Sequence, residues 1–297
     1  MKYIVYHALA VCLCVLPFTA KMLSATTFAY IPSYEDDRVV RVNTTNPDGE
    51  SGFAVVTIDP QEADGGVCGP YGVAVLPDVT DNLRYAIVTC EGDSEGDCTN
   101  RSGDAVGTFV RILHTDFENQ TVPSTRIYNG VTGDTPRGVA IEPDGEYAYI
   151  ANYCSDTVTM IDLSGYQAVA SPVTVGEGPL GVAAVRNADQ DVLVYVTNNL
   201  DGSITVITHK IKTQDSQTTT SRTLDNICKR PAGIVAIPGQ SAVYVACQGT
   251  EGVLTDGGIY RILTNALDTP PARIMGGNPY FGVAAASQGR FVLATNS

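Results

Sequence analysis

Tryptophan is absent from this chain, histidine occurs three times, and Lys and Arg together number 18 against 32 Asp and Glu. Each shortage closes off a class of function. A net charge of −14 leaves no cluster of cations to neutralise phosphates, so nucleic acid is excluded as a partner. An anionic membrane surface is disfavoured for the same reason, and the acidity reads as solubility outside the cell. Of the histidines, His7 falls in the N-terminal apolar stretch, His114 closes a strand-like run, and His209 opens the segment HKIKTQDSQTTTSRT. They are too scattered to build a multi-histidine copper or haem site, and neither His114 nor His209 sits near a nucleophile turn suited to a Ser-His-Asp triad. The His209 segment reads as a long, exposed and flexible connection. Past residue 25 there is no Cys-x-x-Cys pair, which removes zinc, and no helix-period apolar stretch of useful length. With 44% hydrophobic and 17% charged residues, no part reads as disordered.

What is present begins with an export signal. Lys2 supplies a small positive start, IVYHALAVCLCVLPFTA an apolar stretch, and Leu23-Ser24-Ala25 the small residues that a signal peptidase reads. Cleavage after Ala25 fits better than after Ala20, because a strand-like run starts at Phe28. The rival reading is an uncleaved membrane anchor. The expected organisation is a signal peptide over 1–25 and one β domain over 26–297, with no membrane span once the signal is removed.

A repeat fills the rest. GPYGVAVLPD, TPRGVAIEPD, GPLGVAAVRN, RPAGIVAIPG and NPYFGVAAAS are five copies of one phrase, each followed by an apolar run such as EYAYIAN or VLVYVTN. The repeat glycines Gly72, Gly138, Gly181, Gly233 and Gly282 are 43 to 66 residues apart. Short β runs at that period mark a propeller of four-stranded antiparallel blades. In the clearest copy GVAIEP is the inner strand A and YAYIAN strand B, joined by the turn residues Pro143-Asp144-Gly145. TVTMIDL alternates as strand C, and SPVTVGEG supplies strand D. Small residues on strand A fit the crowding around a central channel. FAYIPSYEDDRVVRVN aligns with YAYIANYCSDTVTMID, so the chain enters at strand B, and it ends after another strand B at FVLATN. Four complete blades are expected between Cys68 and Gly277, with flanking segments forming one shared blade or two incomplete ones. A sequence truncated at its C-terminus, from an intact protein with more blades, is the favoured account. A five-blade ring with a redundant last strand is the alternative.

Pro-x-Gly-Val-Ala followed by Tyr-Val-Thr-Asn and a Val-x-Val-Ile-Asp-like strand resembles the YVTN-type β-propeller repeats, here as PRGVAIEPDG, YVTNNLDGSITVI and YIANYCSDTVTMID. The absence of tryptophan separates the chain from WD-type propellers. The resemblance spans almost everything from Phe28 to Asn296 and implies fold more than function, since the matched residues are turn and core positions. It also implies that lactonase-like hydrolases are among the relatives to consider.

Six cysteines remain past the signal: Cys68, Cys90, Cys98, Cys154, Cys228 and Cys247. An even number in an exported chain points to disulfides. Strand A begins and strand B ends on the same face of a propeller, which pairs Cys68 with Cys90 and Cys228 with Cys247. Cys98 and Cys154, in B–C loops of adjacent blades, form the third pair; a small Cys90–Cys98 loop competes with this scheme.

Three groups of residues invite a functional reading. Asp93, Glu95 and Asp97 alternate in the insertion CEGDSEGDCTNRSGD as oxygen ligands do in some calcium loops, although a solvated acidic loop pinned by cysteines is the favoured reading. No other cofactor is expected. Asn152, Asn198 and Asn296, aligned with Thr89 and Ala246 near strand ends, resemble a functional ring, but asparagine there is expected to cap the B–C turn. Asn43, Asn100 and Asn119 begin glycosylation sequons. The B–C loops vary most and are acidic, so recognition is expected on their face, with Asp93, Glu95, Asp97, Asp201 and Glu251 as the ligand-binding residues. The leading expectation is a non-catalytic exported propeller, secreted, periplasmic or at the cell surface, that binds a protein, glycan or cell-envelope component. The alternatives are a lactonase-like hydrolase and a structural surface-layer unit. Against the hydrolase, the GVA inner strands carry no polar group.

Overall fold

The computed structural model describes residues 28–33, 38–43, 53–57, 69–75, 85–91, 98, 109–114, 124–127 and 133–296, the last apart from 166, 170, 212–218, 226, 238–239, 254 and 287–290. Among these residues there are strands and no helix. They form six antiparallel sheets in chain order. The first holds β1 (Phe28–Ser33), β2 (Arg38–Asn43) and β3 (Phe53–Thr57). The second runs β4 (Pro70–Val75), β5 (Tyr85–Cys90), β6 (Phe109–His114) and β7 (Ser124–Ile127). The third has β8 (Pro136–Ile141), β9 (Tyr147–Asn152) and β10 (Thr157–Asp162), with an outer edge split into β11 (Gln167–Ala168) and β12 (Val173–Thr174). The fourth is β13 (Pro179–Arg186), β14 (Val192–Asn198), β15 (Ser203–His209) and β16 (Thr219–Leu224). The fifth is β17 (Pro231–Ala236), β18 (Ala242–Cys247), β19 (Gly258–Leu263) and β20 (Ala272–Gly276), and the sixth pairs β21 (Tyr280–Ala286) with β22 (Phe291–Asn296).

Four complete blades therefore lie where the repeat predicts them, flanked by two separate incomplete sheets of three and two strands. The inner strands β4, β8, β13, β17 and β21 touch in that order. Each strand B also touches the inner strand of the next blade, and β1 touches β4 in the same way. The first sheet thus begins at the strand B position, as its sequence alignment indicates.

The core sits between blades, sheet face against sheet face. Tyr149 and Val158 of the third blade pack with Val182, Val194 and Ile207 of the fourth. Tyr195, Ile204 and Val206 of the fourth pack with Ile234, Val243 and Val245 of the fifth. Strand B is buried along its length because it has a sheet neighbour on each side and a blade on each face: β14 reads VLVYVTN with every residue buried.

The repeated phrase encodes a bulge. The pairing of strand A with strand B shifts register between Pro179 and Val182, and at the matching places in the other three complete blades. The bulge frees the glycine N–H from the ladder. In the fourth blade Thr197 Oγ1 accepts that N–H from Gly181 at 2.7 Å and donates to the carbonyl of Ala232, in the next blade, at 2.7 Å. Thr89 does the same between Gly72 and the carbonyl of Arg137, and Thr295 accepts from Gly282 at 2.9 Å. A side chain at Gly181 would strike the Ala232 carbonyl and come within 2.9 Å of Thr197 Oγ1. Gly138 faces the Leu180 carbonyl just as closely, so the expectation that these glycines permit close approach of inner strands holds.

One expectation is corrected. His209 is not in an exposed connection: it ends β15, is fully buried, and its Nδ1 shares a 2.8 Å hydrogen bond with the Tyr149 hydroxyl of the preceding blade. The ring of Tyr147 meets it edge-on at 4.8 Å. Strand C runs on through Thr208 to His209, which carries the imidazole into the blade interface.

Candidate functional site

Strand A starts and strand B ends at one face of the propeller, and the described B–C loops rise from it. Two positions recur there. The residue before each repeat glycine is Tyr71, Arg137, Leu180, Ala232 and Phe281, and the residue after each strand B end is Glu91, Tyr153, Asn199 and Gln248. Between the second and third blades these positions meet. Arg137 Nε donates to Glu91 Oε1 at 3.2 Å and its Nη2 closes the ion pair. The guanidinium lies over the Tyr153 ring at 3.7 Å and over the Tyr71 ring at 5.0 Å. Glu91 is buried at 2% exposure. Burial works against the Arg137 charge, but the Glu91 carboxylate and the two tyrosines outweigh it and hold the guanidinium above its ordinary range. Burial also pushes the Tyr71 hydroxyl up to about 12, against the lowering pull of Arg137. Between the fourth and fifth blades, Asn199 Nδ2 donates to the Pro231 carbonyl at 3.0 Å and to Gln248 Oε1 at 3.2 Å.

This cluster corrects the view that the inner strands carry no polar group. Arg137 stands on β8, two residues from Val139 in the PRGVAI phrase itself. The signal was available in the variable middle residue of Pro-x-Gly, which is overlooked when the phrase is read only for its conserved glycine and valine.

The cysteines bear out two expected pairs. Cys98 is bonded to Cys154, joining B–C loops of adjacent blades next to Tyr153, and Cys228 is bonded to Cys247. The competing Cys90–Cys98 loop is therefore excluded. Cys90 is disulfide-bonded as well. Its expected partner, Cys68, lies outside the described residues.

Of the expected ligand-binding residues, Asp93, Glu95 and Asp97 also lie outside the described residues, as do the signal segment 1–25 and the sequon asparagines Asn100 and Asn119. Asp201 is exposed at the loop face but occupied: Oδ1 accepts from Ser203 N at 2.9 Å and from its Oγ at 2.7 Å, and Oδ2 accepts from Glu177 N at 2.8 Å. Glu251 is almost fully exposed, 3.9 Å from Arg230 Nη1. No trio of metal-ligating side chains occurs among the described residues.

The strand-end asparagines are structural, with a partner other than the one expected. Asn152 Nδ2 donates to Thr157 Oγ1 at 3.0 Å and Thr159 Oγ1 at 2.9 Å, and Asn198 Nδ2 to Ser203 Oγ at 2.8 Å and Thr205 Oγ1 at 3.0 Å. They staple strand B to strand C through hydroxyls. Asn152 Oδ1 and Asn198 Oδ1 are buried and have no hydrogen-bond partner.

Comparison with known proteins places these features on a familiar frame. Residues 109–255 match the family model described as lactonase, 7-bladed beta-propeller. No curated protein matches the sequence. Among solved structures, Kuenenia stuttgartiensis hydrazine synthase superposes with a TM-score of 0.60 at 17% identity, over 90% of this chain and 70% of that one. Virginiamycin B lyase from Staphylococcus aureus gives 0.57 at 13%, over 93% and 76%. A chain of a nidogen/laminin complex gives 0.54 at 14%, over 88% and 82%. At these identities the likeness is one of fold.

Proposed function

We propose that this β-propeller repeat protein is an exported, non-catalytic binding module that recognises its partner on the face carrying the B–C loops. The Cys98–Cys154 disulfide carries the reading: it staples the loops of two adjacent blades beside the Arg137 cluster. Loops fixed before binding lose less conformational entropy on binding, a reason to cross-link a recognition surface. Arg137 and Glu91, and Asn199 and Gln248, are paired with one another, so the polar groups at this end of the inner strands are already committed to holding the surface in shape. Disulfides and the absence of a long apolar helix among the described residues are compatible with an extracellular protein. Partners of a protein, glycan or cell-envelope kind fit such a surface. The acidic residues Asp93, Glu95, Asp97 and Glu251 would add attraction for cations or calcium, whereas Asp201 is engaged in its own turn.

A lactonase-like hydrolase is the second reading, favoured by the family-model match over residues 109–255. A panel of lactones monitored by acid release separates the two. The binding reading expects a flat panel together with saturable capture of at least one member of a peptide and glycan array, lost when Cys98 and Cys154 are both replaced by Ser. Saturable lactone opening well above the uncatalysed background would overturn it.

A further inference from the structure

Between the third and fourth blades the loop face has a chemistry of its own. Leu200, at the tip of the turn after β14, is 59% exposed yet firmly seated. It lies on Gly178, which has φ +62°; a Cβ there would come within 2.6 Å of Leu200 Cγ and 3.1 Å of Tyr153 Cε2. The leucine thus continues a row that runs from Tyr71 through Arg137 and Tyr153. Around it stand the exposed residues Asp134, Glu177 and Asp201. One hydrogen-bonded frame holds them: Cys154 N donates to the Asp134 carbonyl, Gly178 N to Asp156 Oδ1 at 2.9 Å, Leu200 N to the Glu177 carbonyl at 3.1 Å, and Glu177 N to Asp201 Oδ2 at 2.8 Å.

The loops of this sector, residues 133–135, 153–156, 175–178 and 198–203, contain no Lys or Arg. Arg137, whose guanidinium lies over the Tyr153 ring, is paired with Glu91. The fifth blade differs, for its loops carry their own cations: Lys229 Nζ donates to Thr250 Oγ1 at 2.9 Å, and Arg230 faces Glu251. An exposed leucine flanked by exposed carboxylates complements a long side chain with an apolar stem and a charged donor at its end.

We propose that this sector docks a basic segment of a protein partner, with a Lys or Arg stem lying along Leu200 and Tyr153 and its charge between Asp134 and Glu177. The proposal rests on the binding reading above and names the partner class. It is tested on the full chain with fluorescein-labelled peptides of identical apolar content that carry Lys and Arg, Ser, or Glu at alternating positions. The basic peptide is expected to bind about tenfold tighter than the Ser peptide, with the Glu peptide weakest. Raising the salt from about 50 to about 300 mM should weaken it several-fold, since exposed charges are screened over a shorter distance. Leu200→Ser and Glu177→Gln should each weaken the basic peptide by about five- to tenfold, and Asp189→Asn, in the exposed turn between β13 and β14 at the other end of the blade, should not. Equal binding of basic and neutral peptides, or unchanged binding by the Leu200 and Glu177 variants, would overturn the proposal. If no peptide binds while a glycan or another partner protects the loop face from hydrogen exchange, the proposal falls and the binding reading stands. Protection confined to a different face removes both.

Discussion

Thr89 and Thr197, one residue before the strand B end where the third and fifth blades have Ala151 and Ala246, show how one hydroxyl can hold two blades. Thr197 accepts from Gly181 on its own inner strand and donates to Ala232 on the next, and it is fully buried. Replacing it with Val keeps the shape but leaves both backbone groups unmatched inside the protein. Thr197→Val is expected to cost about 2 kcal/mol in urea unfolding, with little change in m-value. Two aligned tyrosines give the opposite contrast. Tyr149 shares its hydroxyl with His209, whereas the hydroxyl of Tyr195, equally buried, has no partner. Tyr149→Phe should destabilise by about 1 kcal/mol, and Tyr195→Phe should be neutral or stabilising. A melting temperature for Tyr195→Phe well below that of the parent would contradict this account.

At the scale of the element, the end of strand B follows a rule that couples it to strand C. Asn152 faces Thr157 in the ladder with Thr159 beyond, and Asn198 faces Ser203 with Thr205 beyond, so each asparagine has two hydroxyls in reach. Cys247 faces Gly258 with Tyr260 beyond, and Cys90 faces Phe109 with Arg111 beyond; neither strand offers a serine or threonine hydroxyl at these places. Where the amide staple has no partner, a disulfide stands in its position. Cys228 also occupies the place that Gly133 and Gly176 take before their blades, against the asparagine. The double variant Cys228→Gly/Cys247→Asn therefore installs the pair used by other blades without its hydroxyl partners. It should remain destabilised by about 3 kcal/mol, the worth of a disulfide closing a loop of this length. Recovery of parental stability would show that the asparagine is sufficient alone.

Across the whole molecule, burial of tyrosines between blades sets an alkaline limit. Burial raises Tyr71 to about 12, and raises Tyr149 and Tyr195 in the same direction. A raised folded value means that the native state keeps its protons while the unfolded chain begins to lose them near pH 10. Stability is then full below pH 10 and falls as pH rises toward 12, because unfolding releases protons over that window. Urea midpoints measured across it should decline, and Tyr71→Phe should make the decline shallower. A parallel slope in that variant would remove Tyr71 as a contributor.

How far this protein could be read from its residues depends on how far apart in the chain the cooperating groups lie. The period, the order of strands within each blade, entry at strand B, the turns and the Cys228–Cys247 pair all follow from contacts inside one repeat, where alternation and loop length leave few choices. Even Cys98–Cys154 was legible, since the repeat frame puts both B–C loops on one face. The tertiary structure alone decided what crosses from blade to blade: Arg137 with Glu91, 46 residues away, and Tyr149 with His209, 60 away. Seating Leu200 beside Tyr153 over Gly178 is a decision of the same kind. The rotation between neighbouring sheets chooses which side chains meet, and that rotation is set by the packing of all their faces together rather than by any local pattern in the chain.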